Sequence, residues 1–425
     1  MSEVKKPRVV VLGCNFAGLT TARLIRDVCG DSVDITVIDR KPYLIFVPNI
    51  GIEVFANRDP ADTMHMNFIK FLDADKSEFI QAEVKGVDLD TQKITIMPTE
   101  RPGAASEKIS YDYVVFALGA KLDFDSIEGF GEFGHAVTDS YYGNKLRKHL
   151  HSGGYKGGKI AIGSAYFEQG SKGLPSWFPH TRAACDGPPL ETSLSLSAWL
   201  EENKLGSAKD ITLFSAADLI AEDAGEGIVE SFLQMVGAMG MTYMKDTPDI
   251  KRLTKDGIEF TNGKSLEAEL KIIVPHWNAH DFMKELSIVD EAGFVITDLT
   301  MRNETYKNVF AVGDCAALTV PKLGGIGDLQ ARIVAKQLGK DMGKVKGEDA
   351  DKPFWPEVVC FGDMGNNKAF YIHSDVWYGG KTQILKMGHS LFAMKMAFKE
   401  MYYLKGGKVP GWGMPLTEFI VDKIL

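Results

Sequence analysis

The chemistry open to this chain begins with sulfur. Of its five cysteines, Cys185 and Cys360 stand in polar stretches marked by glycine or proline, HTRAACDGPPLE and FWPEVVCFGDMGN. A thiolate is a nucleophile, and two thiols brought together can cycle between dithiol and disulfide, exchanging two electrons. The competing reading is packing, because a lone buried cysteine behaves as a small apolar side chain. Five cysteines are too few for a disulfide-stapled scaffold. Cys14 and Cys315 sit in glycine turns and read as packing residues.

The elements that would hold such thiols are written in the glycines. The chain has 43 of them in 425 residues. They gather at strand-to-helix turns, where backbone must approach a nucleotide. RVVVL (8–12) reads as a buried strand, Gly13-Cys14-Asn15-Phe16-Ala17-Gly18 as a turn, LTTARLI as a helix, and ITVIDR as a second strand ending at Asp39 and Arg40. This is a βαβ unit with the acid expected to hold a ribose. The turn offers N–H groups to a pyrophosphate, and the helix N-terminus adds positive partial charge. Asn15 stands where the middle glycine is usual, and asparagine tolerates positive φ better than most residues. An ordinary α/β turn is the alternative.

Two later segments strengthen the nucleotide reading. YDYVVFALGA (111–120) is a strand that ends with Ala117, Gly119 and Ala120, and NVFAVGDCAALTVPKLGG (308–325) is another that carries Gly313, Asp314 and Lys322. In order and spacing these segments resemble the two-dinucleotide-domain flavoproteins. The resemblance implies bound FAD, with Asp314 beside the ribityl chain and Lys322 near the flavin pyrimidine edge, where a cation favours the anionic reduced ring. KIAIGSAYFEQG (159–170) falls where that family carries a second fingerprint, but Ala165 and Glu168 replace its second and third glycines. The expectation is a second Rossmann-like domain that keeps its fold without taking NAD(P), so that electrons do not come from NADH.

GCNFAGLTTA, KPYLIFVPNI, CDGPPLE, AVGDCAALTVPKLG and the late VVC with its WYGG tail together resemble the sulfide:quinone oxidoreductases over nearly the whole chain. By that resemblance Cys185 and Cys360 flank the flavin and are bridged through sulfur when oxidised. Sulfide opens the bridge, the electron pair passes to FAD and then to a membrane quinone, and sulfur leaves as polysulfide or elemental sulfur. The resemblance points to Cys360 as the thiol that engages the flavin. Relatives carry a third cysteine before the second domain. Thr138 stands there in this chain, which implies non-covalent FAD. Glu168 and Glu191 are candidates for proton relay or loop orientation, with Glu168 placed beside Cys185, Cys360 and Lys322 in the catalytic set.

The fold class expected is α/β, two Rossmann-like dinucleotide-binding domains with a C-terminal amphipathic helical membrane-association module. The FAD-binding domain takes residues 1–154 and 291–349, the degenerate second domain 155–290, and the quinone and membrane-interface module 350–425. KMGHSLFAMKMAFKEMYYLK (386–405) repeats Leu391, Met394, Phe398 and Tyr402 at helical spacing. Around it Lys381, Lys386, Lys395, Lys399, Lys405 and Lys408 face only Glu400, in a chain of net charge −9. A basic helix with an aromatic and methionine-rich face reads as interfacial, and a helix packed on the core is the alternative. GWGMPLTEFIVDKIL offers a second short helix. Phe361, Phe370, Tyr371, Trp377 and Tyr378 are quinone-lining candidates.

The remaining composition excludes other classes. No basic arm suits nucleic acid. His276 and His280 lack a companion ligand, so no metal is expected. MSEVKKPRVVVLG has no signal-like apolar region, and no apolar run reaches spanning length. These features place the protein peripherally or monotopically on the cytoplasmic side of the cell membrane, with sulfide, quinone and the membrane surface as partners. Both a monomer and a homo-oligomer remain open. The alternative functions are a type II NADH:quinone oxidoreductase, a sulfide dehydrogenase flavoprotein donating to a cytochrome, and a non-catalytic flavin-binding scaffold.

Overall fold

In the computed structural model, which describes residues 5–101, 103–411 and 413–424, the buried RVVVL run forms strand β1 (Arg8–Leu12) and leads into helix α1 (Phe16–Cys29). Strands β2 (Asp34–Asp39), β3 (Glu78–Asp88), β4 (Lys93–Pro98), β5 (Glu107–Ser110) and β6 (Tyr113–Phe116) follow. A second series then begins with β7 (Gly134–His135), β8 (Ile160–Ser164), helix α2 (Gly187–Asn203), β9 (Ile211–Phe214), helix α3 (Glu226–Met239), β10 (Thr242–Met244) and β11 (Leu270–Val274). The chain returns through β12 (Val309–Ala311) and helix α4 (Gly324–Asp341). It ends in β13 (Val358–Asp363), β14 (Ala369–Ser374), β15 (Gln383–Gly388), α5 (His389–Leu404) and α6 (Gly413–Lys423). Trp412 and Leu425, in the stretch read as the second short helix, and residues 1–4 lie outside the described residues.

The first sheet runs β12-β6-β1-β2-β3-β4-β5, parallel from β12 to β3 and antiparallel beyond. β1 and β6 are wholly or almost wholly buried, as expected of strands covered on both faces. The β1/β6 junction is the switch point of the strand order, where such sheets bind ligands. α4 lies along α1. A Cβ on Gly327 would come within 2.9 Å of Ala17, and one on Gly339 within 2.5 Å of Val28, so both glycines are needed for that approach.

The second sheet, β7-β11-β8-β9-β10, is all parallel. Its edge strand Gly134–His135 comes from before residue 155, so this unit draws on chain assigned by sequence to the first domain. Residues 250–267 add three antiparallel strands, Ile250–Leu253, Gly257–Phe260 and Ser265–Glu267.

β13, β14 and β15 make an antiparallel sheet. Period-two alternation splits its side chains. Val358, Phe370 and Ile372 join the main core, whereas Val359, Phe361 and Tyr371 pack with Leu391 and Val421 under α5 and α6. Cys360 stands opposite Ile372 and therefore shares the face turned to the body of the protein. Among the described residues no helix is long and apolar enough to cross a membrane.

Candidate active site

The β1–α1 turn is built for close approach. Gly13 has φ +95°, and a Cβ there would lie 2.3 Å from the Ala117 carbonyl oxygen. A Cβ on Gly18 would lie 2.0 Å from the Gly13 oxygen. The left-handed residue is Gly13, and Asn15 keeps φ −88°, so tolerance of positive φ is not what Asn15 supplies. Its Oδ1 instead accepts the Ile45 N–H at 3.3 Å. Asp39 closes the turn by accepting the Cys14 and Lys41 N–H groups at 2.7 and 2.9 Å. Each oxygen keeps a lone pair for a ribose hydroxyl. Arg40 is exposed, and its carbonyl accepts the Thr99 hydroxyl at 3.0 Å.

The opposite wall is β12 and its glycine turn. Gly313 approaches Ala17 so closely that a Cβ would sit 2.9 Å from the alanine methyl. Its N–H donates to Gln330 Oε1 at 2.6 Å, while the buried Gln330 Nε2 has no hydrogen-bond partner. Beside Gly119 (φ +69°) nothing lies within 4 Å of a built Cβ. A glycine cradle, a buried donor without a partner and open space at the strand ends fit a bound dinucleotide such as FAD.

The elements that carry the two thiols pack on each other. Cys185 lies just before α2, Cys360 lies in β13, and α2 packs on β13. The Ala184 carbonyl accepts the Lys322 N–H at 2.9 Å, which ties the Cys185 turn to the loop after Asp314. On the other side, a Cβ on Gly325 at the start of α4 would reach the Val359 oxygen at 3.9 Å. Burial pushes the Cys185 thiol well up, and Asp223 and Cys360 push the same way. Burial pushes Cys360 up to about 12 against the opposing pull of Lys395, with Glu191 and Asp223 adding to the rise. Cys14, Cys29 and Cys315 are buried elsewhere, and the Cys315 thiol donates to the Phe116 carbonyl at 3.2 Å.

Lys322 is buried, with Nζ 5.3 Å from the ring centres of both Phe167 and Phe294 and 3.4 Å from Gln169 Oε1. Burial lowers its pKa and Asp314 opposes the shift, while burial raises Asp314 against the pull of Lys322. Glu168, expected in the catalytic set, is exposed, and Gln169 one residue on is the side chain turned inward. Thr138 is buried with its hydroxyl unpartnered.

Three further groups escaped sequence reading. Lys395 is buried on α5, where Nζ donates to Glu191 Oε1 at 2.8 Å, the Phe361 carbonyl at 2.8 Å and the Pro48 carbonyl at 3.1 Å. Its signal was available, because Lys395 falls on the same helical stripe as Leu391, Phe398 and Tyr402. Asp223 bears on both thiols, and burial and then Asp186 push its carboxyl up to about 7. Asp186 is buried beside Cys185. No local pattern marks either acid.

The expected quinone residues do not form one cluster. Phe361 and Tyr371 pack at a tilt, ring centres 4.8 Å apart, under the C-terminal helices. Phe370 faces the other way, against Phe232 at 4.9 Å. Tyr378 packs near Phe178 at 5.5 Å, and Trp377 flanks the main core. The α5 stripe is also inward: Tyr402 packs at a tilt against Phe16 and Phe46, ring centres 5.4 and 5.5 Å apart, and Phe398 lies 6.5 Å from Phe46. Three of the lysines counted as a basic face are paired within the chain, Lys395 with Glu191, Lys399 with Glu400 and Lys408 with Asp27. What the C-terminal segment does expose is Leu404, Leu416, Phe419 and Ile424.

The family described as pyridine nucleotide-disulphide oxidoreductase matches residues 7–167. The chain is 24% identical to the sulfide-quinone reductase of Aquifex aeolicus over 93% of its own length and 90% of the relative's. It is 22% identical to the type II NADH:quinone oxidoreductase of Staphylococcus saprophyticus over 75% and 76%. The solved sulfide:quinone oxidoreductase of Aquifex aeolicus superposes with TM-score 0.81 at 21% identity, covering 98% of this chain and 96% of that one. The resemblance drawn from the sequence motifs and the α/β class are both borne out by these likenesses.

Proposed function

We propose that this chain is a flavin-dependent sulfide:quinone oxidoreductase that binds FAD non-covalently, oxidises sulfide to polysulfide or elemental sulfur through Cys185 and Cys360, and reduces a membrane quinone. The observation that carries the reading is the packing of α2, which begins just after Cys185, on β13, which holds Cys360, with the neighbour of each cysteine joined to the loop and helix that follow Asp314. Gly13, Ala17, Gly18, Asp39, Ala117, Gly119, Gly313 and Asp314 would hold the dinucleotide. When bound, FAD supplies a two-electron acceptor. The remaining chemistry belongs to the chain. Hydrosulfide attacks one sulfur of the Cys185–Cys360 bridge, leaving a persulfide on one cysteine and a thiolate on the other. Asp223, pushed up to about 7, is suited to take and return the proton carried by sulfide. Lys322, held between two rings, keeps positive charge at the pocket wall.

The exposed Leu404, Leu416, Phe419 and Ile424 support peripheral contact with a membrane surface, which we assign to the cytoplasmic side. Anaerobic titration with sulfide tests the reading. The wild type should lose its oxidised-flavin absorbance and regain it on adding decylubiquinone, and C185S and C360S should each lose this response severely. Full-speed bleaching by either variant, or bleaching by NADH in place of sulfide, rules the reading out.

A further inference from the structure

Asp186 follows Cys185 directly and is 4% exposed. Its Oδ1 accepts the Ser164 hydroxyl at 2.7 Å. Its Oδ2 accepts the Ser215 hydroxyl at 2.7 Å and the Ala221 N–H at 3.0 Å. The three donors come from separate places: the last residue of β8, the residue after β9, and the loop before α3. Ala221 is itself left-handed (φ +55°), and the Ser215 hydroxyl is fixed in turn by the Ala217 N–H at 3.0 Å.

The position explains why a carboxylate is there. β8 and β9 are adjacent parallel strands, and their C-terminal ends together with the start of α2 make the place where a dinucleotide-binding fold receives an anion. Here that place is filled from within the chain. A buried acceptor with three donors and none of its own is well matched to an ionised carboxylate. Because two of its partners sit at the C-terminal ends of adjacent interior strands, the residue before it has little freedom to move.

We propose that Asp186 is the positioning residue of Cys185, its carboxylate pinning the thiol-bearing turn to the C-terminal ends of β8 and β9 in the second sheet so that Cys185 stays within reach of Cys360. The proposal rests on the thiol relay set out above. Misplacing a reacting atom by about 1 Å costs on the order of 100-fold in rate, and that is the scale of loss expected when the clamp is removed.

Three variants of the full-length flavoprotein separate the roles. D186A removes the clamp. D186N keeps an acceptor for Ser215 and Ala221, and the Ser164 hydroxyl can rotate to accept from the new amide, so the clamp survives without the charge. S164A/S215A leaves the carboxylate but removes two of its donors. The first readout is the rate at which diamide closes a Cys185–Cys360 bridge, followed by peptide mass mapping. The second is the rate of Cys185 alkylation by iodoacetamide. D186A and S164A/S215A should close the bridge about 100-fold more slowly, with faster Cys185 alkylation, and D186N should restore both rates to near wild type. Bound flavin and the thermal midpoint, measured alongside, report whether each variant is folded. If D186A collapses, the double serine variant decides. Wild-type rates of both readouts in folded D186A or S164A/S215A overturn the proposal. If the wild type neither bleaches with sulfide nor closes a bridge, the functional reading fails, while the alkylation rates still decide whether Asp186 holds Cys185.

Discussion

Replacing Lys395 by methionine should be among the most damaging single changes away from the glycines, and its magnitude follows from what surrounds the ammonium. Lys395 is 4% exposed and its Nζ serves Glu191, the Phe361 carbonyl and the Pro48 carbonyl at 2.8, 2.8 and 3.1 Å. Breaking a buried ion pair by removing one partner costs about 3–5 kcal/mol, because the other charge stays buried. K395M should lose about that much. Burial is the largest influence on Glu191 and raises its pKa, Lys395 lowers it, and Asp363 raises it further. The folded-state pKa of Glu191 already lies above its unfolded value of about 4.3, and without the lysine it rises further. A raised carboxyl leaves stability intact below the unfolded value and removes it as pH climbs through the folded one. The deficit of K395M should therefore be larger at pH 8 than at pH 5. Adding E191Q should recover about 2 kcal/mol at pH 8, since an amide is cheaper to bury than an unpaired charge. Urea midpoints of the wild type, both single variants and the double variant at the two pH values measure this. If the two substitutions add to within about 0.5 kcal/mol, the pair does not couple and the reasoning fails.

Other outcomes follow from the same geometry. Gly18→Ala would put a methyl 2.0 Å from the Gly13 oxygen, so purified G18A should retain little flavin by its absorbance ratio; full flavin content would contradict the cradle. His373 donates to Asp422 at 3.0 Å and Glu357 at 3.2 Å; burial lowers its pKa, but these carboxylates win and push it up to about 9. The stability it lends to α6 is fully present below about 6.5 and is lost as pH rises through about 9. Hydrogen exchange over 413–424 should accelerate across that window beyond the intrinsic pH effect, and an H373A variant should lack the step. Leu404→Glu with Phe419→Glu should cut cosedimentation with anionic vesicles several-fold while leaving sulfide-dependent bleaching intact; unchanged cosedimentation would place the membrane contact elsewhere.

How much of this was legible depended on whether the cause was local. RVVVL, the Gly13–Gly18 turn and Asp39 announce a βαβ unit because strand burial and turn conformation are set by neighbours in sequence. The partition of residues 120–154 was not legible, because Gly134–His135 enters the second sheet by pairing with Lys271 and Ile272, a contact across about a third of the chain. The α5 helix was recognisable by its period, yet its facing was not. Leu391, Phe398 and Tyr402 form a stripe that suits lipid or core equally, and the core was supplied by Phe16 and Phe46 from the first domain. Lys395 broke that stripe in a way that a solvated lysine would not. Glu168 was chosen for its charge, but alternation after β8 turns Gln169 inward and leaves the acid in water. Asp223 became visible only when folding set it near both thiols.

The two thiols are therefore not equivalent, and the difference has a direction. Cys185 stands in a field of carboxylates, Asp223 and Asp186, that disfavours its anion. Cys360 shares the Asp223 field and feels Glu191 as well, but it has a buried ammonium that opposes both, held through the carbonyl of the next residue. In exchange at a disulfide the better-stabilised thiolate leaves faster. In the proposed reaction, hydrosulfide attack falls on the Cys185 sulfur, the persulfide builds there, and Cys360 departs as the thiolate. The lysine that fixes this polarity also joins α5 to α2, to β13 and to the first domain at Pro48. A shift of α5, the helix that ends in the exposed Leu404, would therefore move the ammonium that opposes the upward push on the Cys360 thiol.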